Sequence, residues 1–287
     1  MAERRLGDAV QAALGARPRA ASPLDGGDIA KVYRLEMPDG TRLVAKLGEA
    51  LDIEGSMLRY LADHSALPVP QVLHAAPGLL IMEYLENDGT IDVAAEIHAA
   101  ELLAALHSLD APALGAPKFG FDGDTLIGGL RQPNPWTGSW RTFFRDQRLL
   151  HMAGEAVLAG RLPAGAMRRI GKLADRLDQW IEEPEAPSLL HGDMWAGNVL
   201  VSRGRITGFV DPAIYYGDPE IELAFSTLFG TFGDPFFARY GELCVLKPGF
   251  FEERCDLYNL YPLLVHVRLF GGSYVSRVES TLNKFGV

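Results

Sequence analysis

Cysteine is scarce in this sequence: Cys244 and Cys255 are the only two in 287 residues. Two cysteines cannot supply the disulfide framework of a small secreted domain, so a reduced, cytoplasmic compartment is the default expectation. No apolar run approaches the roughly 20 residues of a membrane-spanning helix. The charged residues between positions 3 and 8 have no apolar stretch behind them, so we expect no secretory signal.

Basic residues are outnumbered as well. The 27 Lys and Arg residues face 37 Asp and Glu residues, which gives a net charge of −10 and a pI near 5.2. Binding to nucleic acid or to an anionic membrane requires a basic surface, so we expect neither partner. Hydrophobic residues make up 48% of the chain, as in a globular protein with one large or two modest domains. The sequence leaves the oligomeric state open.

The most informative stretch is Leu189–Asp218, LLHGDMWAGNVLVSRGRITGFVDPAIYYGD. Two short apolar runs joined by a turn at Arg203-Gly204 predict a β-hairpin. Asp193 precedes this hairpin, Asn198 stands five positions after Asp193, and Asp211 follows the second run. The stretch therefore places two acids and an amide around one hairpin.

This spacing is typical of phosphoryl transfer, which depends mainly on positioning and charge neutralisation. We expect Asp193 to accept the proton of the acceptor hydroxyl, and Asn198 and Asp211 to bind Mg²⁺. Protein kinases use the same offsets in their HRD and DFG motifs. Here Gly192 replaces the arginine of HRD and Pro212-Ala213 replace the last two residues of DFG, so we expect a small-molecule acceptor rather than a protein hydroxyl.

Each of these residues also has a structural interpretation. Asp193 and Asn198 could form turns, and Asp211 before a proline could end a strand. We expect a structural role for His191, because no second His or Cys stands at the spacing of zinc ligands. Trp195 could either pack against the protein or line the acceptor pocket.

The N-terminal region has the features of a nucleotide-binding lobe. Gly26-Gly27 precede two β-like runs between residues 31 and 47, and in that context the pair suggests a phosphate-binding turn. Lys46 ends the second run in the sequence VAK, and Glu54 lies near the start of a predicted helix over 53–62. This order predicts an ion pair that directs Lys46 at the nucleotide phosphates.

The apolar run 79–82 leads into Glu83-Tyr84-Leu85, where we expect a hinge whose backbone contacts adenine. The charged, glycine-containing residues 86–89 support a boundary there. The predicted fold is therefore α+β and two-lobed, like a protein kinase. A small antiparallel β lobe over residues 1–85 binds the nucleotide, and a larger, mainly helical lobe over 86–287 carries the catalytic hairpin and the acceptor site.

Helical periodicity in the second lobe predicts helices over 91–109, 164–181 and 219–229, followed by two or three more within 236–278. The segment 115–151 is too rich in glycine and proline for regular structure before residue 140. Long loops in enzymes usually have a function, so we expect this segment to form one wall of the acceptor site.

Four stretches resemble the fructosamine (ketosamine) kinase family, a branch of the aminoglycoside-phosphotransferase-like and protein-kinase-like fold. They are PLDGGDIAKVYRL, FGFDGDTLIGGLRQPNPWTGSW, LLHGDMWAGNVLV and GFVDPAIYYGDPEIELAFSTLFG, and they run from Pro23 to Gly230. The HGD-x4-N pattern alone indicates only a kinase-like phosphotransferase. The stretches DPAIYYGDPEIELA and IGGLRQPNPW narrow the resemblance to ketosamine kinases.

The resemblance implies ATP-dependent phosphorylation of a ketosamine at a sugar hydroxyl, C3 in this family, on a fructosamine or ribulosamine adduct that is either small or protein-bound. The product becomes prone to release its amine, which amounts to deglycation. The implied machinery is Asp193 as proton acceptor, Asn198 and Asp211 as Mg²⁺ ligands, Lys46 with its partner Glu54 on the phosphates, and Gly26, Gly27, Glu83, Tyr84 and Leu85 around ATP. The implied acceptor-side candidates are Gln132, Asn134, Trp136, Trp195, Tyr216 and Asp218.

Some alternatives stay open at this point. Asp218 could instead cap the helix that starts at Pro219, or it or Glu220 could face the substrate amine. Asp28 stands where some family members have a cysteine, which argues against thiol regulation there. The acceptor could also be an aminoglycoside, choline or a sugar. A catalytically inactive kinase-like binding module is a further alternative, although its usual mark, the loss of the lysine or of a catalytic acid, is missing here.

Overall fold

The structure is a computed structural model that describes residues 2–24, 30–109 and 118–287. The small lobe is built on a five-stranded antiparallel sheet with strand order β1-β2-β3-β5-β4. Its strands are β1 (Ala20–Leu24), β2 (Lys31–Glu36), β3 (Arg42–Leu47), β4 (Val72–Ala76) and β5 (Leu79–Glu83). The β2–β3 hairpin confirms the two β-like runs predicted from the sequence, with Lys31 opposite Leu47.

One helix covers each face of this sheet, because strand residues alternate between the two faces. Helix α1 (Ala2–Leu14) packs against a cluster that includes Leu43 and Ala45 of β3. Helix α2 (Leu51–His64) packs on the opposite face, where Val44 points. The sheet is therefore buried on both sides, which makes β3 a rigid support for Lys46.

Helix α2 contributes to the cores of both lobes. Its residues Leu51 and Leu58 pack on the sheet, whereas Met57 and Leu61 belong to the core of the large lobe. The helix also lies very close to β4, since a Cβ atom at Gly55 would stand 2.5 Å from the Cβ atom of Ala75.

The large lobe is mainly helical. Its helices are α3 (Val93–His107), α4 (Trp140–Phe143), α5 (His151–Leu158), α6 (Ala164–Ala174), α7 (Pro219–Leu228), α8 (Asp234–Leu243), α9 (Cys255–Phe270) and α10 (Ser273–Lys284). A π-helical turn, Phe144–Leu150, joins α4 to α5, and another, Phe250–Arg254, leads into α9. Helix α9 is apolar on nearly all sides and forms the centre of the lobe. No described helix is long and apolar enough to cross a membrane.

Two expectations about this lobe need correction. The segment before residue 140 contains a short hairpin, β6 (Thr125–Ile127) and β7 (Leu130–Gln132), instead of being irregular throughout. Its turn is Gly128-Gly129, both with positive φ, which is a strong hairpin signal. The helix expected over 164–181 ends at Ala174, and a separate 3₁₀ turn, Leu177–Gln179, continues the apolar pattern with Leu177 buried.

Four further strands form two antiparallel pairs beside the helices. Strand β8 (Ser188–Leu190) pairs with β11 (Tyr215–Gly217), and β9 (Val199–Ser202) pairs with β10 (Arg205–Phe209). The β9–β10 pair is the hairpin predicted from the sequence. Along the chain, Asp193 and Asn198 precede it and Asp211 follows it.

Candidate active site

The β9–β10 hairpin determines the spacing of the site. Arg203 and Gly204 both have positive φ, of 54° and 69°, as a two-residue turn between right-twisted strands requires. Beyond the other end of the hairpin, the Val210 amide donates to the Asn198 carbonyl at 3.0 Å. Asn198 and Asp211 are therefore held at the same end of one hairpin.

Asn198 also holds the carboxylate of Asp193. Its Nδ2 donates to the Asp193 carbonyl at 2.8 Å and to Asp193 Oδ2 at 2.9 Å. Burial raises the pKa of Asp193 to about 7, although the hydrogen bond from Asn198 works in the opposite direction. A carboxylate with a pKa near neutral is suited to accept a proton.

Lys46 joins three elements of the fold. Its Nζ donates to Glu54 Oε1 of α2 at 2.7 Å and pairs with Asp211 Oδ1 after β10. Lys46 is only 5% exposed, so the ammonium lies inside the protein and not on its surface. Asp211 has φ of 54°, a conformation that is unusual for a non-glycine residue and is found more often at functional sites.

All five of these side chains line one cleft of about 690 Å³, within the usual range for small-molecule sites. Ala30 and Val32 of the small lobe line one part of this cleft. The other part is lined by the Gly128-Gly129 turn and by apolar residues of the C-terminal helices. The structure thus brings Lys46, Glu54, Asp193, Asn198 and Asp211 together between the two lobes.

Glu222 of α7 supports the catalytic loop, a role that the sequence did not reveal. Its buried carboxylate accepts hydrogen bonds from the Gly192 amide at 2.6 Å and the His191 amide at 3.4 Å, and it contacts His107 Nε2 at 2.8 Å. Burial favours a higher pKa, but the hydrogen bond and charge of His107 outweigh it and hold the pKa of Glu222 below its usual value. A glutamate between Ile221 and Leu223, in a helix of apolar residues, was the only signal.

His191 fastens the same loop to β10. Its Nε2 donates to the Val210 carbonyl at 3.1 Å, which leaves Nδ1 to accept from the Asp193 amide at 3.4 Å. Burial lowers the pKa of His191, in keeping with a neutral ring. The histidine therefore acts in the structure and not in proton transfer.

Gly192 explains why the loop reads HGD and not HRD. Its φ is 87°, and a Cβ atom there would overlap the backbone carbonyl of Ala213. The loop and the segment after Asp211 approach each other so closely that only glycine fits.

We predict that Gly192→Ala lowers both stability and turnover. The strained backbone alone should cost about 1–3 kcal/mol, and the overlap with Ala213 should displace Asp193. Chemical denaturation and steady-state kinetics measure the two effects. Gly171→Ala, in helix α6 with no atom near the new Cβ, is the matched control and should retain native activity. Native turnover in Gly192→Ala would contradict the argument that only glycine fits at this position.

Gln132 and Asn134 lie in the core instead of the cleft. The Gln132 amide donates to Thr125 Oγ1 and to the Ala213 carbonyl at 2.8 and 2.9 Å. Asn134 Oδ1 accepts from the buried Arg148 guanidinium at 2.6 Å. Their polar atoms are occupied by protein groups, so neither is free to bind an acceptor.

Of the other acceptor-side candidates, three are also held by protein groups and one lines the cleft. Tyr216 is buried with its hydroxyl 3.0 Å from that of Tyr60. Asp218 caps α7 through the Glu220 amide at 3.0 Å and accepts from a buried tyrosine hydroxyl. Trp136 contacts Tyr216 and donates to an aspartate outside the cleft. Only Trp195, 39% exposed, lines the cleft itself.

The hinge residues proposed to contact adenine lie where the small lobe ends. Glu83 ends β5, and Leu85 packs so closely on β10 that a Cβ atom at Gly208 would overlap it. Residues 83–85 connect the two lobes but are not among the residues that line the cleft. Gly26 and Gly27 lie outside the described residues, as does Asp28.

The outer part of the cleft is aromatic, which the sequence had not indicated. We call this surface the aromatic wall; it consists of Phe229, His266, Phe270 and Tyr274. His266 Nδ1 donates to the Pro262 carbonyl at 2.7 Å, which leaves Nε2 as an acceptor. Burial lowers the pKa of His266, so the ring is neutral near pH 7.

A buried lysine–glutamate pair on a β lobe, facing an Asp-Asn-Asp constellation on a helical lobe, defines a phosphotransferase of the kinase-like fold. The model of the family described as fructosamine kinase matches residues 5–286, and the chain belongs to this family. The sequence-based predictions of fold class and family are therefore confirmed.

Individual relatives agree with this assignment. A Vibrio parahaemolyticus protein assigned as a ketoamine kinase is 35% identical over 275 residues, which cover 91% of this chain and 90% of that protein. A Thermobifida fusca crystal structure assigned as a fructosamine-3-kinase has a TM-score of 0.83 at 32% identity and covers 97% of each chain. The aminoglycoside phosphotransferase APH(4)-Ia, in a complex with AMP-PNP and hygromycin B, has a TM-score of 0.65 over 98% of each chain. At 19% identity, it shares the fold alone.

Proposed function

We propose that the protein uses ATP to phosphorylate a ketosamine at a sugar hydroxyl, C3 by family resemblance, on fructosamine or ribulosamine adducts. One observation carries the proposal: Lys46, Asp193, Asn198 and Asp211 line a single cleft in a member of the fructosamine kinase family. The same observation argues against an inactive binding module. We also propose that the boundary between the two lobes lies between residues 85 and 86.

In this proposal, Asp193 carries out the proton transfer. Its carboxylate accepts the proton of the acceptor hydroxyl as that oxygen bonds to the γ-phosphorus, while the bond to the bridging oxygen breaks and ADP leaves. The hydrogen bond from Asn198 fixes Asp193 Oδ2 and leaves Oδ1 for the hydroxyl. The fixed loop keeps this carboxylate in place before the substrate arrives.

Lys46 and Glu54 act on the nucleotide side. The ammonium is proposed to bind the α- and β-phosphates of ATP, and Glu54 holds it in the cleft at 2.7 Å. APH(4)-Ia, which shares the fold, forms a complex with the ATP analogue AMP-PNP, and this supports a nucleotide substrate for the present protein. Because α2 packs into both lobes, the partner of the lysine is fixed relative to Asp193.

Asn198 and Asp211 have the donor atoms that suit a magnesium ion. The Asn198 amide nitrogen is turned towards Asp193, so its Oδ1 is the remaining acceptor. Asp211 adds carboxylate oxygens at the same end of the hairpin, and oxygen ligands of this kind are preferred by Mg²⁺. When bound, Mg²⁺ neutralises the charge on the phosphates during transfer.

The aromatic wall is proposed to receive the amine side of the acceptor. The idea that Asp218 or Glu220 faces the amine has to be given up, because Asp218 caps α7 and Glu220 forms a buried pair with Arg254 at 2.5 Å. Aromatic faces attract ammonium groups without any carboxylate. Trp195 and the acceptor nitrogen of His266 provide further contacts.

The test is a panel of acceptors offered with Mg·ATP, with the phosphorylated product identified by mass. Ribose- and glucose-derived lysine adducts are expected to react. An aminoglycoside, choline and free sugars are the comparison set. Faster reaction of any of these than of every ketosamine would overturn the proposed acceptor class but leave the phosphotransfer chemistry intact.

A further inference from the structure

The aromatic end of the cleft, where we propose that the acceptor binds, is lined by no carboxylate from the described part of the chain and lies close to the guanidinium of Arg277. The carboxylates that line the cleft among the described residues are Glu49, Glu54, Asp193 and Asp211, and none comes from α7, α9 or α10. The aromatic wall is open to solvent at its outer edge, with Phe229 36% and Phe270 53% exposed. A substrate that reaches past Asp193 therefore meets ring faces first.

Arg277 does not line the cleft itself but contacts the aromatic wall at Phe229. It lies one turn after Tyr274 on α10, so both side chains are on the same helix face. Its guanidinium carbon is 5.8 Å from the ring centroid of Phe229, and its Nη2 donates to the Leu228 carbonyl at 3.3 Å. Within residues 2–24, 30–109 and 118–287, it forms no ion pair.

Two other arginines of the large lobe differ from Arg277 in this respect. Arg254 is paired with Glu220, and Arg239 with Glu101 and Glu242. Arg277 instead keeps most of its five donors for an external group. The pKa of His266 is lowered mainly by burial, and the positive charge of Arg277 lowers it further.

We propose that Arg277 binds a carboxylate on the amine side of the ketosamine, so that the cleft prefers adducts of free amino acids to adducts of protein side chains. This inference rests on the proposed function. The ring faces hold the substrate ammonium, and a guanidinium recognises a carboxylate through paired, charge-assisted hydrogen bonds. An internal lysine residue in a protein has no α-carboxylate, because that carbon is part of a peptide bond.

Substrate pairs that differ only in this charge test the proposal. One pair is Nα-acetyl-lysine and its carboxamide, both glycated on Nε; the other is glycated glycine and glycinamide. For the native protein, at least one acid should have a KM about tenfold lower than its amide, the size expected for a charge-assisted hydrogen bond at a half-open site. Equal KM values within both pairs would overturn the proposal.

Variants separate Arg277 from other cations. Arg277→Gln should raise KM for the favoured acid to the value of its amide, with kcat and the KM for ATP unchanged. Arg239→Gln, which removes an arginine from ion pairs on the surface, should keep the native preference. An unchanged preference in Arg277→Gln would show that another group reads the carboxylate.

The possible failures can be told apart. If the acid and the amide are phosphorylated with equal KM in both pairs, the carboxylate inference fails and the proposed function stands. If no ketosamine is phosphorylated while ATP still binds, the proposed function fails instead. Tyr274→Leu provides a further measurement, since losing a ring face should raise KM for acid and amide alike, whereas no change in either would remove the aromatic wall from substrate binding.

Discussion

Replacing Asp193 with asparagine is expected to lower turnover by about 10²–10⁴-fold, the usual contribution of a positioned proton acceptor. The amide has nearly the same shape as the carboxylate, and one of its polar atoms can remain near Asn198. What is lost is the ability to accept the hydroxyl proton. Product formation is measured by mass under saturating Mg·ATP and ketosamine.

Nucleotide binding and a control variant show whether the loss of turnover is specific to proton transfer. Nucleotide binding, followed by calorimetry, should change little, because Lys46 and Glu54 remain in place. Asp178→Asn, an exposed substitution outside the cleft, should keep native turnover. If Asp193→Asn works as fast as the native protein, then Asp193 is not the proton acceptor.

Replacing Glu222 with alanine is expected to destabilise the protein by about 1–3 kcal/mol for each buried donor that loses its acceptor. The change leaves His107 and the Gly192 amide without an acceptor in the core. Turnover should fall as well, since the loop that carries Asp193 loses its support. Denaturation in urea and steady-state kinetics measure the two effects.

Glutamine at position 222 tests the charge separately from the shape. The pKa of Glu222 is lowered in the folded protein, so its ionised form contributes stability above its unfolded pKa of about 4.5, and this contribution is lost as the pH falls through the folded value. The native protein should therefore exceed Glu222→Gln in stability near neutral pH, and the difference should shrink below about pH 4.5. A constant difference would exclude the charge as the cause.

The catalytic hairpin could be predicted from the sequence because its information is local. Two apolar runs and a turn fix the relative positions of Asn198 and Asp211, and Asp193 is only five residues away from Asn198. Lys46 and Glu54 were predictable for a related reason, since their order on a strand and a helix matches the kinase pattern. In these cases the distance between residues along the chain determines their distance in the folded protein.

The acceptor side was not predictable in this way. The aromatic wall comes from α9, from α10 and from Phe229, which follows α7. An aromatic residue on a mainly apolar helix has the same sequence pattern whether it faces the core or a cleft. Gln132 and Asn134 show the opposite problem. The family resemblance implied both as acceptor-side contacts, but their side chains form hydrogen bonds with Arg148 and Thr125 inside the protein.

Because α2 packs into the cores of both lobes, moving it would be costly. Swinging this helix outward, as regulated protein kinases do, would expose Met57 and Leu61 at about 1.5–3 kcal/mol each and would break the contact between the Tyr60 and Tyr216 hydroxyls. The Lys46–Glu54 pair is thus built in permanently instead of being assembled on demand. Activity should therefore not depend on an outward movement of α2, because the lysine–glutamate pair is already in place between the packed lobes.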